Sequence, residues 1–377
     1  MDFSLNDEQQ MLADLVARFV ERQYDFETRR RLAASPRGWS EENWSALAET
    51  GLLALGLDEQ YGGLAAGAEE ILVVMEAFGR GLVLEPYLSS ALVGATLLQR
   101  VASASLKEKV LPSLASGERR ISLAALEPQA RFDLWDVACE ARQVEDGFRL
   151  NGRKSVVAHG DSADWLIVSA RTAGAGGDQY GISLFLIDAC APGVRVRGFP
   201  GLDGQRVAEV ELLNVAVAAD ALLGREHMAL ADLEWAADHA CFALCAEAVG
   251  CMSRLTELTV EYLQTRKQFG KPIGSFQALQ HRVAEMLGLV EQARSITCFA
   301  AANLANEQGD QRVRAVSAAK ALVGRAARLI GQQAVQLHGG MGMTDELAVG
   351  WYFKRLSVID MSWGDSDHHV ERYGALM

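Results

Sequence analysis

The texture of this 377-residue chain changes twice along its length, and that double change limits the folds open to it. From about residue 1 to 120, apolar side chains recur at three- and four-residue steps, as in Leu12, Leu15, Val16 and Phe19, and again in Ile71, Val74, Met75 and Phe78. Such spacing lays one apolar stripe along a helix. Breaks fall at Pro36-Arg37-Gly38 and Tyr61-Gly62-Gly63. From about 121 to 222 the pattern shortens to β-rich runs at 165–168, 182–187 and 207–212. Asp146-Gly147, Asn151-Gly152 and Gly174-Ala175-Gly176-Gly177 punctuate them and read as turns. From about 223 helical spacing returns, in Val249, Met252, Leu255, Leu258 and Tyr262 and in Val283, Met286, Leu287 and Val290. Helices, a β module, then helices predict an α+β chain in three sections, 1–120, 121–222 and 223–377.

Composition removes several classes of function. Lys and Arg number 36 against 49 Asp and Glu, a formal charge of -13, whereas a nucleic-acid partner needs clustered cations. Half the residues are apolar and only seven are Pro, which excludes a disordered or collagen-like chain. No run of about 18 apolar residues escapes a charge or a Gly-rich break, so no membrane span is expected. The opening Met1-Asp2-Phe3-Ser4-Leu5-Asn6-Asp7-Glu8 is acidic and unlike a signal peptide. Six cysteines lack any CxxC spacing, in keeping with a reduced, cytoplasmic setting. Cys241 and Cys245 share a helical face, as two zinc ligands could, but no further ligands cluster with them, and buried thiols with no metal are expected.

Four stretches could carry chemistry. The run from His239 to Gly250 is apolar apart from His239 and Glu247. A carboxylate there must find a partner or have a raised pKa suited to general-base work; an Arg from a neighbouring helix is the structural alternative. Gln336-Leu337-His338-Gly339-Gly340-Met341-Gly342 has the glycines to let backbone N–H groups approach an anion, or to make a helix–helix turn. It is not GxGxxG and no strand precedes it, so a Rossmann site is unsupported. Arg266-Lys267-Gln268-Phe269-Gly270-Lys271-Pro272-Ile273 reads as the close of a long amphipathic helix, with Gly270 and Pro272 as its stop. Its cations favour the helix C-terminus, or else Arg266 beside Phe269 holds a nucleotide. The tail Trp363-Gly364-Asp365-Ser366-Asp367-His368-His369 is too local to close a metal site and reads as a solvated or cofactor-facing loop.

Taken together, Arg266 through Gln277 running on to Ala284-Glu285-Met286, and Gln336 through Gly342 with Glu346, resemble the two signatures of the acyl-CoA dehydrogenase flavoprotein family. Glu127-Pro128, Asn151-Gly152-Arg153-Lys154 and His159-Gly160 match its middle-domain landmarks. The resemblance covers essentially the whole chain. It implies a helical N-terminal domain, a middle β-barrel-like domain and a C-terminal four-helix bundle, with FAD as cofactor and tetramers as the usual assembly. By carry-over, Arg266 and Phe269 would reach the FAD pyrophosphate and adenine across a subunit interface, and Gln336, Gly339, Gly340, Asp367 and, more weakly, Gln277 would meet the same cofactor. Val156 and Ala158 fall where a strand lies against the flavin ring, and Asp238 where an Asp lies beside the acyl chain. The implied reaction is α,β-dehydrogenation of an acyl-CoA thioester, a base taking the α proton while a hydride leaves the β carbon for the flavin. Electrons would pass to an electron-transfer flavoprotein.

Departures from the family pattern cluster where that chemistry would occur. The usual catalytic Glu position, counted from Glu346, is Trp363, and the alternative position on the long helix is Ala240. Glu247, two turns beyond Ala240, is the expected replacement base, with Asp365 as the other acid in reach. Gln129-Ala130-Arg131-Phe132 replaces the small residues that follow Glu-Pro, and Arg131 is the one candidate cation for a distal carboxylate. The resemblance implies a medium-chain or dicarboxylic acyl-CoA such as pimeloyl-CoA as the substrate. The alternative is a catalytically silent small subunit that lends its FAD-binding motifs to a related large subunit in a mixed tetramer.

Overall fold

The computed structural model describes residues 5–305 and 309–377. Residues Met1 to Ser4, with which the acidic opening begins, lie outside the described residues. The chain packs as two compact units, one of residues 5–31, 67–83 and 241–377, the other of 32–66 and 84–240. The helices expected in section 1–120 are thus divided. Among the described residues no helix is long and apolar enough to cross a membrane.

The first unit is helical. Its early members are α1 (Asp7–Gln23) and α4 (Ala68–Gly81), with α2 (Phe26–Ala33) beginning between them. Asn6 caps α1 by accepting from the Gln9 backbone, while the Gln9 side chain returns the bond to Asn6. The apolar residues read at helical spacing in α4 are inward, with Val74, Met75 and Phe78 buried. Then come α7 (Leu230–Thr265), α8 (Gln277–Leu304), α9 (Gly309–His338), α10 (Ala348–Met361) and α11 (Ser366–Gly374). Residues of α7 from Cys241 onward belong to this unit, and those up to Ala240 to the other. Two glycines let α4 and α7 touch backbone to backbone. A Cβ on Gly79 would lie 2.0 Å from the Glu247 carbonyl oxygen, and one on Gly250 would lie 1.9 Å from that of Glu76.

The second unit holds α3 (Glu41–Glu49), a π-helical turn (Tyr87–Gly94), α5 (Ala95–Val101) and α6 (Ala104–Ala115) around a mixed sheet. Its strands are β1 (Ile121–Ala124), β2 (Glu140–Val144), β3 (Gly147–Ala158), β4 (Trp165–Arg171), β5 (Ile182–Asp188), β6 (Val194–Pro200), β7 (Arg206–Ala218) and β8 (Leu222–Leu223). The order is β6-β7-β3-β2-β4-β5-β8, with β1 parallel to β4. All eight strands belong to this one sheet, the middle β module expected. β1 pairs with the start of β4, and β2 touches its end at Glu140 and Arg171, so 125–139 loops out between them. All three β-rich runs fall in strands, but Asn151-Gly152 is not a turn. It lies inside β3 at a register shift, where Gly152 has φ +158° and a Cβ would strike Cys139.

Gly79→Ala or Gly250→Ala is expected to lower stability by about 1–3 kcal/mol, since a backbone carbonyl cannot move aside for the methyl. Gly288→Ala, where an added Cβ meets nothing within 4 Å on helix α8, is expected to gain about 0.5–1 kcal/mol. Thermal and denaturant unfolding of the three variants checks both signs.

Candidate functional site

In the sheet unit, a buried ion pair fixes the loop that leaves β1. Lys154, with no exposed surface, donates from Nζ to Glu127 Oε1 at 2.6 Å, Ser169 Oγ at 2.9 Å and the Ala125 carbonyl at 3.3 Å. Glu127 also accepts from the backbone N–H groups of Ala138 and Cys139 and from Gln129. Burial alone would raise its pKa, but the Lys154 charge and these hydrogen bonds outweigh burial and hold the carboxyl below its ordinary value. Arg171 completes the clamp, donating to the carbonyls of Trp135 and Val137. Both ends of the 125–139 loop are therefore fastened.

Beside the loop's first turn, β3 bulges. Its register with β7 shifts between Lys154 and Val157, the Ser155 N–H donates to the Leu126 carbonyl at 2.9 Å, and Ser122 Oγ donates to the Ala158 carbonyl. Val156 is left with φ +52° and 63% of its surface exposed. A β-branched residue in left-handed backbone is costly, by about 1–3 kcal/mol, and such strain collects at ligand sites. Ala158 is exposed beside it, and Arg131, also at positive φ, is exposed on the loop with its guanidinium over the Phe132 ring. Asp238 lies in this unit on α7, fully buried.

In the helical unit, α7 ends at Thr265, before the stretch read as its close. β9 (Lys267–Gln268) and β10 (Lys271–Pro272) form a hairpin whose two turn residues are Phe269, φ +52°, and Gly270, φ +79°. Positive φ at both positions is the type I′ turn that suits strand twist, so Gly270 and Pro272 shape a hairpin rather than a helix stop. Phe269 stands 89% exposed at the tip, Arg266 is exposed at the base, and Gln277 is exposed as the first residue of α8. Tyr262 stacks on His338 at 4.3 Å and bonds its carbonyl, which brings the hairpin's root against the end of α9. There Gln336, Gly339 and Gly340 are exposed. A Cβ on either glycine would meet nothing within 4 Å. Internal packing therefore gives Gly340 no reason to be glycine, whereas the close approach of an outside group does. An open glycine turn beside an exposed aromatic and a cation fits a dinucleotide such as FAD.

The acids expected as base are both engaged. Glu247 Oε1 and Oε2 each accept from Arg355 of α10 at 2.6 Å, in a bidentate pair with both residues buried. The Arg-paired alternative left open by the sequence is the one built here, and neither carboxylate oxygen is turned outward. Asp365 is the N-cap of α11, accepting from the His368 N–H at 2.9 Å. Asp367 is 90% exposed and lies 3.7 Å from Arg325. Trp363 sits at φ +56°, its carbonyl accepting from His369 Nε2 at 3.1 Å and from the Cys241 thiol at 3.7 Å. Burial, then the charges of Lys320, His368 and Arg372, push the His369 pKa down to about 2. Cys241 and Cys245 are buried, the Cys245 thiol being pushed by burial up to about 12. Among the described residues no group of three or more His, Cys, Asp or Glu could hold a metal. Sequence reasoning did not single out Arg355 or Lys320, because each acts through a partner remote in the chain.

Three family models cover the chain: acyl-CoA dehydrogenase N-terminal domain over 6–118, middle domain over 122–215 and C-terminal domain over 231–375. Acryloyl-CoA reductase (NADH) of Anaerotignum propionicum is 28% identical over 98% of this chain and 94% of its own. Isovaleryl-CoA dehydrogenase of Arabidopsis thaliana is 30% identical over 86% of this chain and 80% of its own. Among solved structures, the ChsE4-ChsE5 complex of Mycobacterium tuberculosis superposes with TM-score 0.90 at 28% identity, over 100% of this chain and 98% of that one. PigA with FAD and proline gives 0.91 at 28% identity, again over 100% and 98%. An electron transferring flavoprotein structure of Acidaminococcus fermentans gives 0.92 at 26% over the whole of both chains.

Two outcomes are expected. Glu127→Ala, which strands the Lys154 charge, is expected to cost about 3–5 kcal/mol, and the Glu127→Gln/Lys154→Met double variant clearly less, in denaturant titrations. For His369, the unfolded chain takes up a proton near the ordinary value of 6.5 while the folded chain does not until about 2. Stability should therefore fall as pH drops from 6.5 to 5, by about 1.4 kcal/mol per unit, and His369→Gln should remove that contribution to the slope.

Proposed function

Because the chain belongs to the acyl-CoA dehydrogenase family, whose members dehydrogenate acyl-CoA with FAD, we propose that it serves this reaction as the flavin-holding small subunit of a mixed tetramer. A related large subunit supplies the base. The substrate is a medium-chain or dicarboxylic acyl-CoA such as pimeloyl-CoA, and electrons leave to an electron-transfer flavoprotein in the cytoplasm. The three sections 1–120, 121–222 and 223–377 stand as the chain's counterparts of the family's domains.

One contrast carries the proposal: the parts that suit FAD are present, and the acids that would take a proton are engaged. When bound, FAD supplies the acceptor for the hydride from the substrate β carbon. Gly339 and Gly340 offer backbone N–H groups to its phosphates. Arg266 supplies a countercharge, Phe269 a stacking face, and Gln336, Gln277 and Asp367 polar contacts. Val156 and Ala158 present a strand edge to the ring. Asp238 borders the acyl chain, and Arg131 meets the distal carboxylate. At the two positions where a base is expected, Trp363 and Ala240 can accept no proton. The similar ChsE4-ChsE5 structure is itself a complex of two components.

A second reading makes the chain self-sufficient, with Glu247 as base and Asp365 in support. It is favoured by the place of Glu247 two turns beyond Ala240, and it requires Arg355 to release the carboxylate.

An absorbance spectrum followed by anaerobic titration with acyl-CoAs separates the two. The chain purified alone is expected to keep flavin unbleached by any acyl-CoA, and co-purification with its large subunit to restore bleaching. Bleaching by the chain alone would overturn the divided-labour reading. Glu247→Gln should then cost about 100-fold or more in rate, the effect of losing a general base.

A further inference from the structure

Lys320 is a cation buried where no other function asks for one. It lies on α9 with no exposed surface, and its Nζ donates to the carbonyl oxygens of Asp360 at 2.8 Å and Gly364 at 2.7 Å. The Asp360 carboxylate faces other donors, Ser366 Oγ and Arg328, each at 2.7 Å. Burying an ammonium costs several kcal/mol, so an apolar residue would serve packing better. What the charge gains is a grip on two carbonyls of one short segment, the last turn of α10 and the connector to α11. Hydrogen bonds from a charged donor are the strong ones.

The remaining contacts converge on the same connector. His369 holds the Trp363 carbonyl, and Asp365 caps α11. Gly364 has φ +111°, and a Cβ there would lie 2.5 Å from His368 and 2.8 Å from His369. Gly324 on α9 leaves room below, since a Cβ there would lie 2.1 Å from Asp360 Oδ1 and 2.4 Å from Ser366 Oγ. The segment therefore has one seating.

We propose that Lys320 is the positioning residue of the 362–366 connector, fixing its backbone so that the tail loop keeps a set face toward the cofactor. The assignment rests on the reading of this loop as cofactor-facing. It names the residue responsible, which touches neither cofactor nor substrate.

Lys320→Met removes the donors and keeps the volume. In the assembled protein, amide hydrogen exchange across 362–369 is expected to quicken about tenfold or more, the scale of a lost charged hydrogen bond, with α8 amides unchanged. Flavin per chain is expected to fall. Gly364→Ala, which keeps Lys320 but displaces the backbone whose carbonyl it holds, should give the same pair of effects and serves if Lys320→Met does not fold. Unchanged exchange, or exchange quickened uniformly, would overturn the assignment. Local quickening with full flavin retention would overturn the cofactor-facing part. Absence of flavin from the unsubstituted assembly would instead count against the proposed function, and the exchange measurement would still test the Lys320 tie.

Discussion

The helical unit is organised around the bidentate contact of Glu247 with Arg355, two buried charges on α7 and α10 satisfying one another. Either charge left in that interior without the other would be uncompensated, so the pair fixes how the two helices face each other. The residue that carries the charge on α7 also lends its backbone to the helix crossing, because Gly79 of α4 rests against the Glu247 carbonyl. The Tyr352 hydroxyl of α10 also donates to the Arg80 carbonyl of α4. Three helices are thus referenced to a single turn of α7. A proton shuttle needs a carboxylate that can change partners, and this one holds Arg355 through both of its oxygens.

The sheet unit solves a similar problem with the same means. A loop leaving a strand must be held against its own entropy, and here Lys154 and Glu127 do so from the interior, with Arg171 closing the far end. What lies outside this clamp is strained and exposed: Val156 on the bulge and Arg131 on the loop. Rigid support beneath and unfavourable backbone above is the arrangement expected where a ligand will be met by main chain rather than by long side chains.

Much of this was legible in sequence, and the exceptions have physical causes. Periodicity located the helices and the three β-rich runs because each reports a local choice between periods of about 3.6 and 2 residues. Asn151-Gly152 misled because the same dipeptide serves a turn and a bulge, and the difference is Cys139 lying across from it. The hairpin at 267–272 was hidden because its turn places Phe269, not Asn or Gly, in left-handed backbone. The open alternatives for Glu247 could be separated only by Arg355, 108 residues away. Glycines of the 339–340 turn were legible as a motif, but that nothing fills the space beside them is a fact of three dimensions alone.

The ties made by Lys320 and His369 grip main chain, at carbonyls 360, 364 and 363, while Ser366 and Asp365 bond through their side chains. None of these bonds depends on which side chain residue 363 carries. The hydrogen bonds that seat the connector therefore tolerate another side chain at 363, and what constrains that position is its left-handed backbone, φ +56°, which non-glycine residues rarely adopt.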